Sequence, residues 1–360
     1  MKLLKRMLPK PNDLPSSGRA ALKRLEDLAG TFQEEEHVYC TACSKLVLSV
    51  DENHDNVDEN VEKCTCDGDV STGKFYSFDV EDQVRHMFEQ RNLAAVIDYH
   101  RNHHSRKEGY ICDVQDGSEY KAIKQHLTGP YDLVCIWNTD GLQLSGSSKQ
   151  ELWAILGTIC EVPPRLRSSY MIVFGVFVGK DDPDMNVFLK PFANNLQKIS
   201  ENGGVTWVHP VSQENFSSMV VAPVLCADAP AKAMVLKQKR YNSRYGCNVC
   251  EQKARLVNPQ EEIEQPEQDR QQNPRRRKRK RKQRRFLYEE DVHPAPLRSG
   301  NRMDLQGELA AERGKPCKGV LGKAVVSDIP YLDRGLCVAA EYLHLILLGA
   351  VRYLSYKIFL

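Results

Sequence analysis

Two apolar runs in this 360-residue chain each end on an aspartate, and a close cysteine pair follows the second. The first run is Tyr131-Asp-Leu-Val-Cys-Ile-Trp-Asn-Thr-Asp140, with Gly141 after it. The second is Met219-Val-Val-Ala-Pro-Val-Leu-Cys-Ala-Asp228, and the pair is Cys247 and Cys250. Short β-rich apolar runs bounded by turn residues read as buried strands, so Asp140 and Asp228 are expected at strand ends. If the strands are neighbours in one sheet, the two carboxylates fall on the order of 4–8 Å apart and share metal ions. Hard oxygen ligands suit Mg²⁺ or Mn²⁺. Two such ions about 4 Å apart activate an attacking oxygen and stabilise the leaving one. Glu341, on a late apolar helix, is the candidate third acid. The chemistry of such a set is phosphodiester cleavage on nucleic acid. Each acid taken singly has a plainer reading as a turn or cap residue. Asp228-Ala-Pro-Ala has the form of a helix N-cap with Pro230 in the first turn. The three together, in this order, point to a metal site.

The cysteines suggest a second kind of metal chemistry. Cys40 and Cys43 are followed about twenty residues later by Cys64 and Cys66. That spacing is on the scale of a zinc ribbon, in which four sulfurs lie roughly 3.5–4 Å apart around Zn²⁺. The second pair is CxC rather than CxxC, and the plainer reading is a degenerate ribbon with one or two free thiols. Cys247 and Cys250 need further ligands, for which His293, Cys317 and His344 are candidates. His344 follows Glu341 by three residues and so shares its helix face; it completes a zinc site, orients a catalytic group or simply packs.

Composition narrows the class. Hydrophobic residues make up 41% and charged residues 27%, which is ordinary for a globular protein. The net charge of +2 conceals poor mixing, because residues 51–69 are strongly acidic and residues 275–285 read RRRKRKRKQRR. The basic side chains are Arg275, Arg276, Arg277, Lys278, Arg279, Lys280, Arg281, Lys282, Arg284 and Arg285. They are suited to neutralising phosphates or to serving as a nuclear import address; the plainer reading is a solvated charge run. No secretory signal is expected from the N-terminus, so the 12 cysteines favour metal over disulfide. No apolar run is long enough to predict a transmembrane helix.

The elements that must position these residues follow from periodicity. Residues 1–36 read as a basic tail with a short helix at 19–29, and residues 37–75 as the zinc-ribbon module. Residues 76–257 read as the first part of an α/β core with a mixed sheet. Within it, helices are expected at 79–101, 183–199 and 229–239. Strands are expected at 110–114, 133–138, 153–160, 171–178, 206–208 and 219–226. His103 and His104, beside Arg101, read as a solvated loop with DNA contact as the alternative. Residues 258–285 are nearly free of apolar side chains and are expected to be a disordered insertion. Residues 286–360 read as the rest of the core, with a loop-and-strand region at 320–331 and an apolar helix at 339–358. The chain stops on a strongly hydrophobic face, which predicts truncation.

Several segments resemble the transposases of CACTA (En/Spm-type) DNA transposons, the animal relatives best. They are Asn138-Thr-Asp-Gly-Leu-Gln-Leu-Ser-Gly-Ser-Ser-Lys149, Trp153-Ala-Ile, Met185-Asn-Val-Phe-Leu-Lys-Pro-Phe192, Tyr245-Gly-Cys-Asn-Val-Cys250 and Glu341-Tyr-Leu-His-Leu-Ile-Leu-Leu-Gly349. His37-Val-Tyr-Cys40-Thr-Ala-Cys43 is similar to the family's upstream cysteine motif. The resemblance runs from about residue 14 to the C-terminus, apart from the insertion. It implies a ribonuclease-H-like core with an acidic triad, whose acids fall on Asp140, Asp228 and Glu341. It implies metal-dependent strand cleavage and transfer at transposon ends, with Mg²⁺ or Mn²⁺ for catalysis and Zn²⁺ for structure. The expected partners are transposon-end and target DNA, a nuclear import receptor and, optionally, a second copy, with no membrane. The chain departs from the family in its charged insertion, its CxC pair and its end soon after Glu341. The alternatives are a non-catalytic DNA- or protein-binding relic and a truncated product that does not fold stably. Low turnover is expected of an isolated chain that lacks helices to brace Glu341.

Overall fold

The computed structural model describes residues 33–43, 45–49, 64, 66, 72–104, 109–143, 151–257, 285–288 and 295–339. The expected helices at 19–29 and 339–358 lie outside these residues apart from Ala339, as does the insertion apart from Arg285.

The strands are β1 (Glu34–Cys40), β2 (Leu46–Ser49), β3 (Thr72–Phe78), β4 (Leu133–Gln143), β5 (Glu151–Ile159), β6 (Met171–Gly179), β7 (Val205–Val208), β8 (Asn215–Ser218), β9 (Val220–Leu225), β10 (Arg255–Val257) and β11 (Arg285–Leu287). The helices are α1 (Val80–Glu89), α2 (Leu93–His103), α3 (Ser118–Lys124), α4 (Met185–Phe188), α5 (Lys190–Glu201), α6 (Ala229–Val235) and α7 (Gly300–Arg313). Seven strands form one mixed sheet in the order β2-β1-β3-β6-β5-β4-β9, so the fold is α/β. Every neighbouring pair is antiparallel except β4 and β9, which are parallel.

Alternation along β4 explains the layering. Leu133, Cys135 and Trp137 belong to the main core on one face, while Val134 and Ile136 join a smaller apolar cluster on the other. α1 lays Val84, Met87 and Phe88 onto the main core, and α5 lays Phe192, Leu196 and Ile199. Phe88 stacks on Trp207 with ring centroids 4.1 Å apart, and Phe192 meets Trp137 at 5.1 Å. Gly157 leaves room for Phe174, whose ring would stand 2.6 Å from an added Cβ. Pro223 sits in β9, where the register against β4 slips between Val134 and Ile136. A proline has no N–H to give the ladder, so a bulge there is the expected result.

Several local expectations need correction. The expected helix at 79–101 is two helices, broken where Asn92 adopts φ 54°, a left-handed conformation that asparagine tolerates. The expected strand at 110–114 is a turn. Asp113 and Asp116 form a reciprocal capping box around Val114–Asp116, and such side-chain bonds compete with strand pairing. Pro191, in the first turn of α5, separates that helix from α4. α6 ends at Val235 rather than 239, and Lys237 takes φ 44°. β7 is outside the main sheet, paired with β8 in a hairpin. Residues 320–331 form turns, with Val320 in isolated bridges only.

Candidate functional site

The expectation of two strand-end aspartates holds in part. Asp228 follows the end of β9, whereas Asp140 lies within β4, level with Ala154 of β5 and three residues before the strand ends at Gln143, though beyond the stretch of β4 that pairs with β9. Trp137 of β4 is level with Leu225 of β9, and Leu225 is level with Val338 through a parallel bridge. The row is held by Cys226 N–H donating to the Trp137 carbonyl at 2.8 Å and Leu225 N–H donating to the Cys337 carbonyl at 2.7 Å. Ala339 N–H donates to the Leu225 carbonyl at 2.9 Å. Asp140 and Asp228 each stand three residues beyond this row. Ligands of open α/β sheets bind outside the carboxyl ends of the strands, where connections diverge. Here the chain runs from β4 to β5 and β6 on one side, while β9 lies on the other. Glu341 and His344 lie outside the described residues; in sequence Glu341 is three residues beyond Val338.

Asp140 is exposed and Asp228 half-buried. Asp140 Oδ1 accepts from Gly141 N–H at 2.9 Å. Asp228 caps α6, its Oδ1 accepting from Ala231 N–H at 2.8 Å, with Pro230 in the first turn. The cap reading of Asp228 therefore holds. It does not compete with metal binding, because a carboxylate has two oxygens and about four acceptor sites. Among the described residues, neither acid belongs to a group of three ligand-type side chains.

Cys40, Cys43, Cys64 and Cys66 do converge, with all four sulfurs within 4.8 Å of one another. Cys43 Sγ is 3.5 Å from Cys64 Sγ, and Cys40 Sγ is 4.0 Å from Cys66 Sγ. Tetrahedral Zn²⁺ with bonds near 2.3 Å needs sulfurs about 3.8 Å apart, so the four cysteines can hold a metal such as zinc. β1 delivers Cys40, and its N–H donates to the Lys45 carbonyl across the turn that holds Cys43. The Cys43 N–H donates to Cys40 Sγ at 3.5 Å and brings the Cys40 thiol down to about 7. The Cys66 thiol is pushed up to about 12 by the neighbouring thiols of Cys43, Cys64 and Cys40. Several thiolates so close together ionise only if a cation balances them. The cluster sits at the edge of the main sheet, since β1 pairs with β3 and β3 with β6.

Cys247 and Cys250 have a similar local geometry. Cys247 Sγ accepts the N–H groups of Val249 and Cys250 at 3.4 Å each, and the two sulfurs are 3.5 Å apart. The Cys247 carbonyl accepts from Gln238 Nε2 at 2.7 Å and Arg298 Nε at 2.9 Å, which fixes the turn. Burial pushes the Cys250 thiol up. Among the described residues no third ligand-type group joins the pair, and Cys317 instead pairs with Val320 in a tight turn. His293 lies outside the described residues.

Of the basic run, only Arg285 falls within the described residues. Its backbone pairs with Val257 in the β10–β11 ladder. Arg275, Arg276, Arg277, Lys278, Arg279, Lys280, Arg281, Lys282 and Arg284 lie outside. No helix among the described residues is long and apolar enough to cross a membrane.

Sequence reading missed a second ligand-type group, His100, His104 and Asp113, whose candidate ligand atoms also lie within 4.8 Å. The available signal was the four-residue spacing of the two histidines on a helix; the adjacent pair His103 and His104 obscured it. It also passed over Asp132 as part of a strand run, although its carboxylate ties the start of β4 to the start of β9. No protein-family model matches the chain, and no curated protein matches it.

Proposed function

We propose that the chain is a transposon-derived, DDE/DDD-type transposase-like protein with a ribonuclease-H-like core, built for metal-dependent DNA cleavage and strand transfer. One observation carries this reading. Trp137, Leu225 and Val338 form a single row across parallel backbone, and Asp140, Asp228 and Glu341 are each three residues further along the chain. Such a row supports delivery of three acids to one sheet edge. The donor set fits Mg²⁺ or Mn²⁺, because carboxylates are hard ligands and Asp140 is exposed where a hydrated ion arrives. When bound there, the ions supply charge stabilisation for in-line displacement at phosphorus. Asp140 and Asp228 hold them, with Glu341 as the third ligand. The four-cysteine cluster, filled with Zn²⁺, braces the far edge of the sheet. The basic run at 275–285 neutralises DNA phosphates and addresses the protein to the nucleus through an import receptor.

The second reading is a DNA- or protein-binding relic without catalysis. The capping bond of Asp228 favours it, since a structural role alone accounts for an aspartate there. Two measurements on the full chain separate the readings. Mn²⁺ binding, followed by electron paramagnetic resonance, is expected to weaken at least tenfold in both Asp140→Ala and Asp228→Asn. Nicking of supercoiled plasmid is expected to require Mg²⁺ or Mn²⁺ and to vanish in the same variants. Mn²⁺ binding that neither substitution changes would end the catalytic proposal. DNA retention without nicking, together with unchanged Mn²⁺ binding, would select the relic.

A further inference from the structure

We propose that His100, His104 and Asp113 form a separate site for a zinc-class divalent cation, with two imidazole nitrogens and one carboxylate oxygen as ligands. The inference is independent of the catalytic reading and of the four-cysteine cluster.

The three residues converge from two elements. His100 lies in the last turn of α2 and His104 is its C-cap residue, so the four-residue spacing puts both on one face. Their rings meet edge to face with centroids 5.2 Å apart. Asp113 comes from the capping turn that follows, where its Oδ1 accepts from Val114 N–H at 2.7 Å. His100 is 7% exposed and Asp113 9% exposed, while His104 is half-buried and leaves an approach from solvent.

The outer contacts are those that metal-binding histidines use. A ligating histidine almost always gives its other ring N–H to a carbonyl or carboxylate, which fixes the tautomer and the ring plane. His100 Nδ1 is 2.9 Å from the Glu161 carbonyl, an atom that only accepts, so Nδ1 carries the proton. The Gln115 amide nitrogen, 3.2 Å away, donates to the Cys160 carbonyl at 2.9 Å. His100 Nε2 then presents a lone pair 3.6 Å from Asp113 Oδ2. That separation is too long for a direct hydrogen bond. It is close to the roughly 3.3 Å between ligand atoms around an ion with 2.0–2.1 Å bonds. His104 Nε2 is 3.1 Å from Asp116 Oδ1, a carboxylate oriented by the N–H groups of Cys112 and Asp113 at 2.8 and 3.0 Å. Both histidines thus have an outer partner on one ring nitrogen.

Arg167 is the competing group. Its Nη2 stands 2.6 Å from Asp113 Oδ2, and the guanidinium also donates to the carbonyls of Val162 and Cys160. It balances the carboxylate without a metal, and beside a bound cation it lowers affinity by repulsion. Imidazole donors select zinc-class ions over Mg²⁺. Three protein ligands leave a position for water, as in zinc sites that are not closed. Occupancy would pin the end of α2 to the turn before α3.

The test uses the full chain carrying Cys40→Ser, Cys43→Ser, Cys247→Ser and Cys250→Ser, so that thiolate zinc does not obscure the count. This background is expected to keep one tightly bound Zn²⁺ after gel filtration. His104→Gln in that background is expected to weaken Zn²⁺ at least on the order of a hundredfold, and Arg167→Gln to tighten it. To guard against misfolding of the multiple variant, Zn²⁺ is also added to the otherwise unaltered chain while the imidazole ¹⁵N shifts are followed. The Nε2 resonance of His100 is expected to move in the unaltered chain and to stay fixed in His104→Gln. If Zn²⁺ leaves the His100 and His104 resonances of the unaltered chain unchanged, the site does not exist and the cluster is a structural hydrogen-bond network.

Discussion

Asp132 is the residue whose replacement best tests how the parallel pair is held. It is 3% exposed and immediately precedes β4, away from the half of the strand that carries Asp140. Its Oδ2 accepts from Gly129 N–H at 2.6 Å and its Oδ1 from Met219 N–H at 2.8 Å. Leu133 N–H donates to the Met219 carbonyl at 2.8 Å, so the carboxylate locks the first rung of the β4–β9 ladder. A hydrogen bond to a charged group contributes about 1.5–3 kcal/mol. Asp132→Ala removes two and leaves both N–H donors without their acceptor, for an expected loss of about 3–6 kcal/mol. Asp132→Asn keeps the shape and one acceptor but turns an NH₂ group towards an N–H donor, for roughly 2–3 kcal/mol. Either is a large part of the 5–15 kcal/mol that a typical domain possesses. Urea unfolding followed by tryptophan emission reads the change, since Trp137, Trp153 and Trp207 are all buried in the main core. Hydrogen exchange at Leu133 and Val221 reports whether the loss is local to the ladder. Under the proposed catalytic reading, a loosened register is also expected to weaken Mn²⁺ binding at Asp140 and Asp228. Stability of Asp132→Asn within about 0.5 kcal/mol of the parent would refute the reasoning, because changes that small are typical of surface positions.

Two further predictions concern the sheet edge with the cysteines. Cys43→Ser is expected to remove one equivalent of Zn²⁺ per chain, measured by elemental analysis of the purified protein; an unchanged zinc content would show that the four sulfurs are not a metal site. His37, 4% exposed and with Nε2 2.8 Å from Ser77 Oγ, has its pKa pushed down by burial to about 4. The unfolded chain takes up that proton near 6.5, whereas the native chain does so only near 4. The stabilisation is therefore complete above pH 6.5 and is lost as pH falls towards 4, by about 3 kcal/mol in all. Unfolding measured from pH 7 to pH 4 is expected to show a shallower loss in His37→Gln, and equal slopes would contradict the assignment.

What the sequence determined by itself was mostly local. Short apolar, β-rich runs bounded by turn residues marked β4, β5, β6 and β9, because strands that bury side chains on both faces of a sheet write a continuous apolar run into the chain. Asp228-Ala-Pro-Ala announced a cap, and the structure has one. The paired spacing of Cys40 and Cys43 announced one half of a zinc-ribbon ligand set, since three residues span one tight turn. Local pattern failed where two local preferences compete. At Asn92 a left-handed residue split an otherwise continuous helical stripe, and at Asp113 side-chain capping outweighed strand propensity.

Only the tertiary structure decided which elements meet. The row from Trp137 through Leu225 to Val338 joins positions far apart in the chain, and no local period encodes their register. It is set by hydrogen bonds that require β9 beside β4, a slip at Pro223 and the Asp132 clamp. Cys64 and Cys66 reach Cys40 and Cys43 although an acidic stretch separates them in sequence, and β3 returns along β1 just after them. His100 faces Asp113 only because α2 and the capping turn pack together beside Glu161 and Arg167. Residue type and spacing state which groups could do chemistry, while long-range packing sets the few ångströms over which they act together.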